Sequence, residues 1–215
     1  ILLPQVLAAV KVPVIAAGGY STGRGLAAAL AAGAAGIAMG TRFLMTTDSP
    51  TPPATLDRYV KVDDPQKVRV TLAVDGMRHR MIENPFINKL EGASPMGRLL
   101  IALRSAWHWK QQTGMSLGHM LGVFRQALKE DPGAVSQTVM SANQPVLLQR
   151  SMVDGFPDEG ILPSGQVAAA IGKLESCEDV IHGIAAEAET CLAALYARLD
   201  DARGTEPCKE TAAVA

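Results

Sequence analysis

The sequence is poor in cysteine, and the cysteines present form no paired motif. Cys177, Cys191 and Cys208 lie scattered near the C-terminus, and none belongs to a Cys-x-x-Cys pair. An odd number of cysteines cannot all pair within one chain, and a structural zinc site needs suitably spaced ligands. We therefore expect neither a disulfide framework nor a metal site, and we expect reduced thiols in a cytoplasmic protein.

Long apolar runs and an excess of charge are also missing. No run reaches the roughly 18 apolar residues that a membrane-spanning helix requires, and no basic segment precedes an apolar one as in a secretory signal. The formal net charge is -1, so the composition has no positive excess with which to attract nucleic acid. We therefore expect neither a membrane nor a nucleic acid as a partner.

Glycine is plentiful, with 20 residues, and it follows two apolar runs in the stretch VPVIAAGGYSTGRGLAAALAAGAAGIAMGTRF. The pattern predicts a strand buried on both faces at Val12–Ala17 and a second strand at Gly36–Met39. Between them, Ser21 or Thr22 can cap a short helix that ends at Gly33. The stretch is therefore predicted to be a β-α-β unit whose two strands are parallel neighbours.

Both predicted strands end in glycine, which suits the binding of a phosphate group. Glycine lets a ligand approach the main chain without meeting a Cβ, and a following helix presents free N–H groups with partial positive charge. We predict that the amides of Gly18, Gly19, Gly40 and Thr41, with the Thr41 hydroxyl, bind one phosphate. This pattern fits strands seven and eight of a (β/α)8 TIM barrel. The alternative is that both ends are ordinary tight turns of an α/β protein.

The rest of the chain is predicted to contain one hairpin and several helices. The proline-rich residues 46–53 indicate a linker or a rigid loop. Residues 68–74 and 77–82 are predicted to be hairpin strands around an Asp-Gly turn. Ser164 is predicted to cap a helix, and residues 178–199 are predicted to form a long amphipathic helix before a disordered tail.

The stretch with the two glycine ends resembles the phosphate-binding half of the nitronate monooxygenase family, formerly called 2-nitropropane dioxygenases. The family pattern is a strand ending in AAGG, a helix beginning near GRG and a strand ending in MGTRF. All three parts occur here, at residues 16–19, 23–25 and 39–43. Residues 77–86, with an Arg-x-x-x-Asn pattern, and residues 160–174, with a Gly-Gln segment, also resemble this family. The helical region between them is similar to actinobacterial members implicated in steroid-ring catabolism on coenzyme A (CoA) thioesters.

The resemblance implies a (β/α)8 TIM barrel of which only the last two βα units are present. The other six units would come first, so the chain is expected to be the C-terminal portion of a longer protein. The implied division is residues 1–47 as barrel units and 48–159 as a linker, hairpin and helical lid-like region. Residues 160–200 would be helices packing back on the barrel, and 201–215 a disordered tail.

The resemblance also implies a cofactor and a set of residues that bind it. FMN is the implied cofactor, NAD(P)H is a candidate electron donor, and the substrate is a nitronate or an unsaturated acyl or steroid-derived CoA thioester. Met39 either lies near the flavin ring or fills the barrel, and Gln166 either reaches cofactor or substrate or caps its helix. Arg42 either neutralises the phosphate or forms a structural ion pair. The implied FMN-binding residues are Ala17, Gly18, Gly19, Met39, Gly40, Thr41 and Gln166.

No catalytic residue is assigned from the sequence. A structural role suits each of the four histidines better than catalysis, and of these His108 and His119 lie where a helical region can cover an active site. The cluster Trp107–Lys110 either stacks on a nucleotide such as the adenine of CoA or anchors helix packing. The alternative to an enzyme is a non-catalytic fragment. Such a fragment would supply a phosphate half-site and a helical interface to a partner, either a second copy or a missing N-terminal half-barrel.

Overall fold

A computed structural model of the chain describes residues 2–94, 96–98, 100, 101, 118, 122 and 144–204. These residues fall into two compact units. The first unit combines Ile1–Met39 with Ser176–Ala215, and the second is Gly40–Glu175.

The first unit contains the β-α-β arrangement that the sequence predicts. Its strands pair in parallel, with Ile15 opposite Gly36 and Ala17 opposite Ala38. The prediction of two parallel neighbours is therefore confirmed. The elements are helix α1 at Leu2–Ala9, strand β1 at Ile15–Ala17, helix α2 at Gly23–Ala31 and strand β2 at Gly36–Ala38.

Both ends of α2 are set by residues that the sequence identifies. Thr22 is the N-cap, and its Oγ1 accepts a hydrogen bond from the Gly25 N–H at 3.2 Å. Beyond the C-terminal end, Gly33 has a φ of +102°, a conformation in which any other residue would be strained by its Cβ. Both predicted helix boundaries are confirmed.

Strand β1 differs from its prediction in length and in burial. Only Ala16 of its three residues is buried, while Ile15 is 55% exposed and Val12, before the strand, is 67% exposed. Successive side chains of a strand point to opposite faces, so β1 is covered on the face of Ala16 and open on the face of Ile15 and Ala17. The prediction of a strand buried on both faces is therefore wrong for this chain as it stands.

The C-terminal helix, Cys177–Gly204, packs against α2 within the first unit. Its buried residues Val180, Ile184 and Ala188 recur every four positions, the spacing of one helix face. The predicted long helix is confirmed. It continues past residue 201, where the disordered tail was predicted to begin, and residues 205–215 lie outside the described residues.

The second unit is built around an antiparallel hairpin. Its strands pair Val68 with Ile82 and Thr71 with His79, and Gly76 in the turn has a φ of +82°. The predicted hairpin is therefore confirmed, but its strands are shorter than predicted: residues 72–78 connect them, so Asp75-Gly76 lies inside a longer loop and does not form a two-residue turn. Helices and strands of this unit include α3 at Thr41–Leu44, α4 at Pro53–Val60, β3 at Val68–Thr71, β4 at His79–Ile82 and α5 at Pro85–Gly92. A 3-10 helix at Pro65–Lys67 precedes β3, and a π-helix lies at Gln149–Val153.

Strand β4 contributes to two hydrophobic clusters, one on each side of the hairpin. Met81 packs with Leu90 and Ile161, whereas Ile82 packs with Tyr59 and Leu162. Successive side chains of a strand point to opposite faces, so adjacent residues enter different clusters. Burial raises the pKa of the Tyr59 hydroxyl above its usual value.

The predicted Ser164 cap is not observed at the helix that follows it. Residues Gln166–Ala170 form a 3-10 helix whose N-cap is Gly165, without a side-chain cap. Ser164 Oγ instead donates to the Gly165 carbonyl at 3.0 Å. The predicted Ser164 cap is therefore wrong, because its hydroxyl is already used one residue before the helix begins.

None of the helices among the described residues is both long and apolar enough to cross a membrane. The Trp107–Lys110 cluster, His108 and His119 lie outside the described residues.

Candidate functional site

In the first unit, the ends of β1 and β2 leave the sheet side by side. Because Ala17 lies opposite Ala38, the following residues Gly18 and Met39 emerge at the same edge. Gly18 and Gly19 have φ values of +95° and +83°, which a residue with a Cβ rarely adopts. A Cβ at either glycine would meet no heavy atom of the described residues within 4 Å. The main chain is therefore bare and open at this turn.

The start of α2 is less open than the sequence suggests. The Gly23 N–H donates to Glu187 Oε2 of the C-terminal helix at 2.6 Å, and the Gly25 N–H donates to Thr22. Glu187 Oε1 also lies 3.3 Å from Arg24 Nε. The expectation that the free N–H groups of this helix face a phosphate is corrected for these two groups, because a carboxylate and a hydroxyl of the protein itself already accept from them.

In the turn before α2, the N–H of Gly19 is open to solvent. Within the described residues, no hydrogen bond engages the N–H of Gly19, although a buried amide normally finds an acceptor. Gly19 is exposed, so water or an anion can reach it. In the first unit, the Gly18-Gly19 turn is therefore more open to a ligand than the start of α2.

Gly40 and Thr41 open the second unit at the start of α3. Gly40 is the residue before this helix, and a Cβ on it would meet none of the described atoms within 4 Å. Thr41 Oγ1 accepts a hydrogen bond from the Gly165 N–H at 3.0 Å. A hydroxyl that accepts one hydrogen bond still has its own proton to donate, so Thr41 keeps the donor that phosphate binding needs.

This hydrogen bond also brings the Gly-Gln segment to Thr41. Gln166 begins the 3-10 helix directly after Gly165, and its side chain is exposed. Three of the residues implied by the resemblance, Gly40, Thr41 and Gln166, thus lie in one part of the second unit. Ala17 and Met39 lie in the first unit, exposed and half-buried respectively.

Of the two roles considered for Arg42, phosphate neutralisation and a structural ion pair, the structure shows the ion pair. Its side chain is buried and forms an ion pair with Glu175, whose other oxygen lies 2.8 Å from Lys173 Nζ. The hydrogen bond from Lys173, together with the charges of Lys173 and Arg42, lowers the pKa of Glu175 below its usual range. Arg42 Nη1 is buried without an acceptor among the described residues.

His79 and His182, the two histidines within the described residues, have separate surroundings. His79 Nε2 lies 2.9 Å from the buried carboxylate of Asp75, across the hairpin turn. His182 is exposed on the C-terminal helix. The part of the chain that the structure describes contains no group of three or more His, Cys, Asp or Glu that could hold a metal ion.

The sequence reasoning missed Glu187, and it identified Asn84 only as part of the Arg-x-x-x-Asn pattern, without its role as a helix cap. Asn84 is 1% exposed; its Oδ1 accepts from the Ile87 N–H at 2.8 Å, and its Nδ2 donates to the carbonyls of Pro157 and Gly160. An Asn-Pro pair before an apolar segment is a helix-start signal that would have identified this cap. Glu187 carries no comparable signal of its own.

The comparison with protein families decides the assignment. A family model described as nitronate monooxygenase matches residues 1–187. The chain belongs to the nitronate monooxygenase family. Its α/β fold class agrees with this membership and with the solved structures it resembles.

Curated relatives of this nitronate monooxygenase family chain include two proteins with the same name, (3aS,4S,5R,7aS)-5-hydroxy-7a-methyl-1-oxo-octahydro-1H-indene-4-carboxyl-CoA dehydrogenase. The one from Rhodococcus jostii is 43% identical over 87% of this chain and 53% of its own length. The one from Mycobacterium tuberculosis is 44% identical over 89% of this chain and 55% of its own length. The chain therefore spans about half the length of these relatives.

Two solved structures are similar to this family member over most of its length. FabK from Thermotoga maritima has a TM-score of 0.62 and 26% identity, covering 92% of this chain and 51% of its own. Nitroalkane oxidase from Streptomyces ansochromogenes has a TM-score of 0.56 and 25% identity, covering 90% of this chain and 44% of its own.

Proposed function

We propose that this chain is the C-terminal portion of an FMN-dependent oxidoreductase with a (β/α)8 barrel. The observation that carries the proposal is the pair of parallel strands β1 and β2, which end side by side: Gly18 and Gly19 follow β1 directly, and Gly40 comes two residues after β2. Family membership supports the same conclusion. Cytoplasmic localisation, suggested by the unpaired cysteine pattern, belongs to this proposal as well.

Each of the two units has main chain that suits the phosphate of FMN. Positions 18, 19 and 40 have open space where a Cβ would stand, so a phosphate can reach the main-chain N–H groups, and Thr41 adds a hydroxyl donor. Backbone amides and hydroxyls are suitable donors to a phosphate. When bound, FMN would supply the hydride and electron chemistry, while the protein binds and orients it. We assign the flavin phosphate to Gly18, Gly19, Gly40 and Thr41, and contacts to other parts of the cofactor to Ala17, Met39 and Gln166.

A CoA thioester is the substrate class that we favour over a nitronate. The relatives named as carboxyl-CoA dehydrogenases match 87% and 89% of this chain. A Staphylococcus aureus protein named probable nitronate monooxygenase is 40% identical over only 41% of it. Similarity that extends through both units is better support than similarity over part of the chain. We propose NAD(P)H as the electron donor.

The test uses the complete natural polypeptide with an absorbance titration of FMN. Replacing Gly40 by Val places a side chain in the open space where the phosphate would lie, and the loss of a charged hydrogen bond weakens FMN binding by about tenfold or more. Gly172→Val is the matched control, because Gly172 is equally exposed and has equally open surroundings. Equal FMN affinity in both variants, or a wild-type protein that binds no FMN, would remove the proposal.

Turnover assays then separate the two substrate classes. The flavin-loaded protein is assayed with a nitronate and with a CoA thioester, each with and without NADH. We expect turnover of the thioester. If only the nitronate is turned over, the proposal of an oxidoreductase stands and the proposal of a CoA thioester as substrate is rejected.

The exposed apolar face of β1 favours a second candidate, a non-catalytic fragment that completes a partner. Ile15 and Val12 are more than half exposed, and such a face on a strand normally lies against other elements. Mixing this chain with a separately produced N-terminal half-barrel, or with a second copy alone, distinguishes the two partners. A yellow complex with the half-barrel that turns over no substrate would support the fragment.

A further inference from the structure

The second unit contains a cavity that none of the preceding assignments uses. Its volume is about 380 Å³, within the range of small-molecule sites in proteins. It lies between the end of α4, the turn that leads into β3, the end of β4 and the start of α5. We call it the basic cavity, because Arg58, Lys61 and Lys67 line it.

Two of the three cations that line the basic cavity already have a carboxylate partner: Arg58 pairs with Asp158, and Lys67 pairs with Asp63. Glu83 is the one carboxylate among its lining residues. It accepts a hydrogen bond from Asn88 at 3.1 Å and forms an ion pair with Arg69, so its partners are residues other than these three cations. The hydrogen bonds from Asn88 and Arg69 lower the pKa of Glu83, so it stays ionised and engaged. Lys61 is exposed and has no ion-pair partner within the described residues.

Arg58 supplies an independent sign that an acceptor belongs here. Its Nη2 pairs with Asp158 at 3.2 Å, but its Nε is buried and has no acceptor in the part of the chain that the structure describes. A buried donor without a partner is uncommon in folded proteins and calls for a bound ion or water. An anion near Arg58 and Lys61 would satisfy this donor.

The remaining walls suit a ligand that has an apolar part. Val62, Ile82 and Pro85 line the same cavity, and Pro85 is the first residue of α5, where a helix has its positive end. An organic phosphate combines a negative group with a flat base or a sugar, and it matches this lining better than a simple inorganic anion does.

We propose that the basic cavity binds the phosphate groups of the nucleotide half of a CoA thioester. The choice of CoA rests on the proposed substrate class. The anion site rests on Lys61, which has no ion-pair partner within the described residues, and on the Nε of Arg58, since both can donate charged hydrogen bonds to phosphate oxygens.

The experiment measures CoA binding to the complete natural polypeptide, loaded with FMN, by calorimetry. Lys61→Glu reverses a charge at an exposed position and is expected to weaken CoA binding by about tenfold or more. Lys89→Glu is the matched control, since Lys89 is an exposed lysine of α5 outside the lining of this cavity. We expect the control to bind CoA as the wild type does, and both variants to bind FMN normally.

Each outcome bears on the cavity separately from the flavin. Equal CoA affinity in the two variants, or a selective effect of Lys61→Glu on NADPH rather than on CoA, overturns the proposal. A yellow, active protein that does not bind CoA would reject the cavity and leave the oxidoreductase standing. A colourless protein whose CoA binding is lost in Lys61→Glu would support the cavity and reject the flavin-dependent oxidoreductase.

Discussion

Gly23 is the residue at which α2 and the C-terminal helix approach most tightly within the first unit. A Cβ at this position would lie 2.5 Å from the Ala188 N, and its other nearest atoms also belong to the C-terminal helix. Such an approach is possible only for glycine, because real Cβ contacts do not come under about 3 Å. The GRG motif therefore has a packing role here.

We predict that Gly23→Ala destabilises the protein. The overpacking of a close helix contact costs about 1–3 kcal/mol in the free energy of unfolding, measured by urea denaturation. Gly183→Ala is the control on the C-terminal helix, where a Cβ meets none of the described atoms within 4 Å. Alanine in an open helical position stabilises by up to about 1 kcal/mol, so equal destabilisation in both variants would contradict this role of Gly23.

Helix α3 depends on two long-range contacts within the second unit. Arg42 pairs with Glu175, 133 residues later, and Thr41 accepts from the Gly165 N–H, 124 residues later. The element has only four residues, and so short a helix has little stability of its own. The contacts from residues 165 and 175 therefore hold the turn that we assign to the flavin phosphate.

We predict that this anchoring depends on pH. Because the pKa of Glu175 is lowered in the folded protein, its stabilising effect is complete above the ordinary glutamate pKa of about 4.3. It is lost as the pH falls from there through the lowered value. Glu175→Gln is expected to lower stability at pH 7 by about 1–3 kcal/mol, since it leaves buried Arg42 without a charged partner, and to flatten the loss below pH 4.

Urea unfolding at several pH values between 3 and 7 measures this effect. Glu159→Gln serves as the control, because Glu159 pairs with Arg150 at an exposed position, where ion pairs contribute about 0–1 kcal/mol. A steep acid loss that survives in Glu175→Gln would assign the pH dependence to other groups.

At the scale of the whole molecule, the described residues leave an apolar surface on the first unit. Val12 and Ile15 are more than half exposed, and a two-stranded sheet has two open edges. The chain covers about half the length of its curated relatives. The (β/α)8 barrel that we propose would cover such a face.

A polypeptide of these 215 residues alone is therefore predicted to associate or to bind an apolar dye. Exposed patches of this kind mark interaction sites or aggregation hazards. Size-exclusion chromatography and dye fluorescence would compare it with the complete natural polypeptide, which we expect to be free of both effects. If a chain of this length is monomeric and binds no dye, the exposed face of β1 is stable in water without a partner.

Some features could be predicted from neighbouring residues alone. Thr22 and Gly33 bound α2, and Gly76 supplies a positive φ in the hairpin loop, because each acts on backbone a few residues away. The motifs around Gly19 and Gly40 also indicated the family, since each is a short run of adjacent residues. The roles of Ala17, Met39 and Gln166 stay predictions.

The sequence by itself determined the β-α-β unit, the hairpin and the long C-terminal helix, since their signals are local in the chain. Only the tertiary structure decided which groups meet across long separations. Glu187 reaches the Gly23 N–H over 164 residues, and Arg58, Lys61 and Lys67 line one cavity with residues of α5. No spacing rule predicts such pairs, because they depend on how separate elements pack and not on the period of any one element.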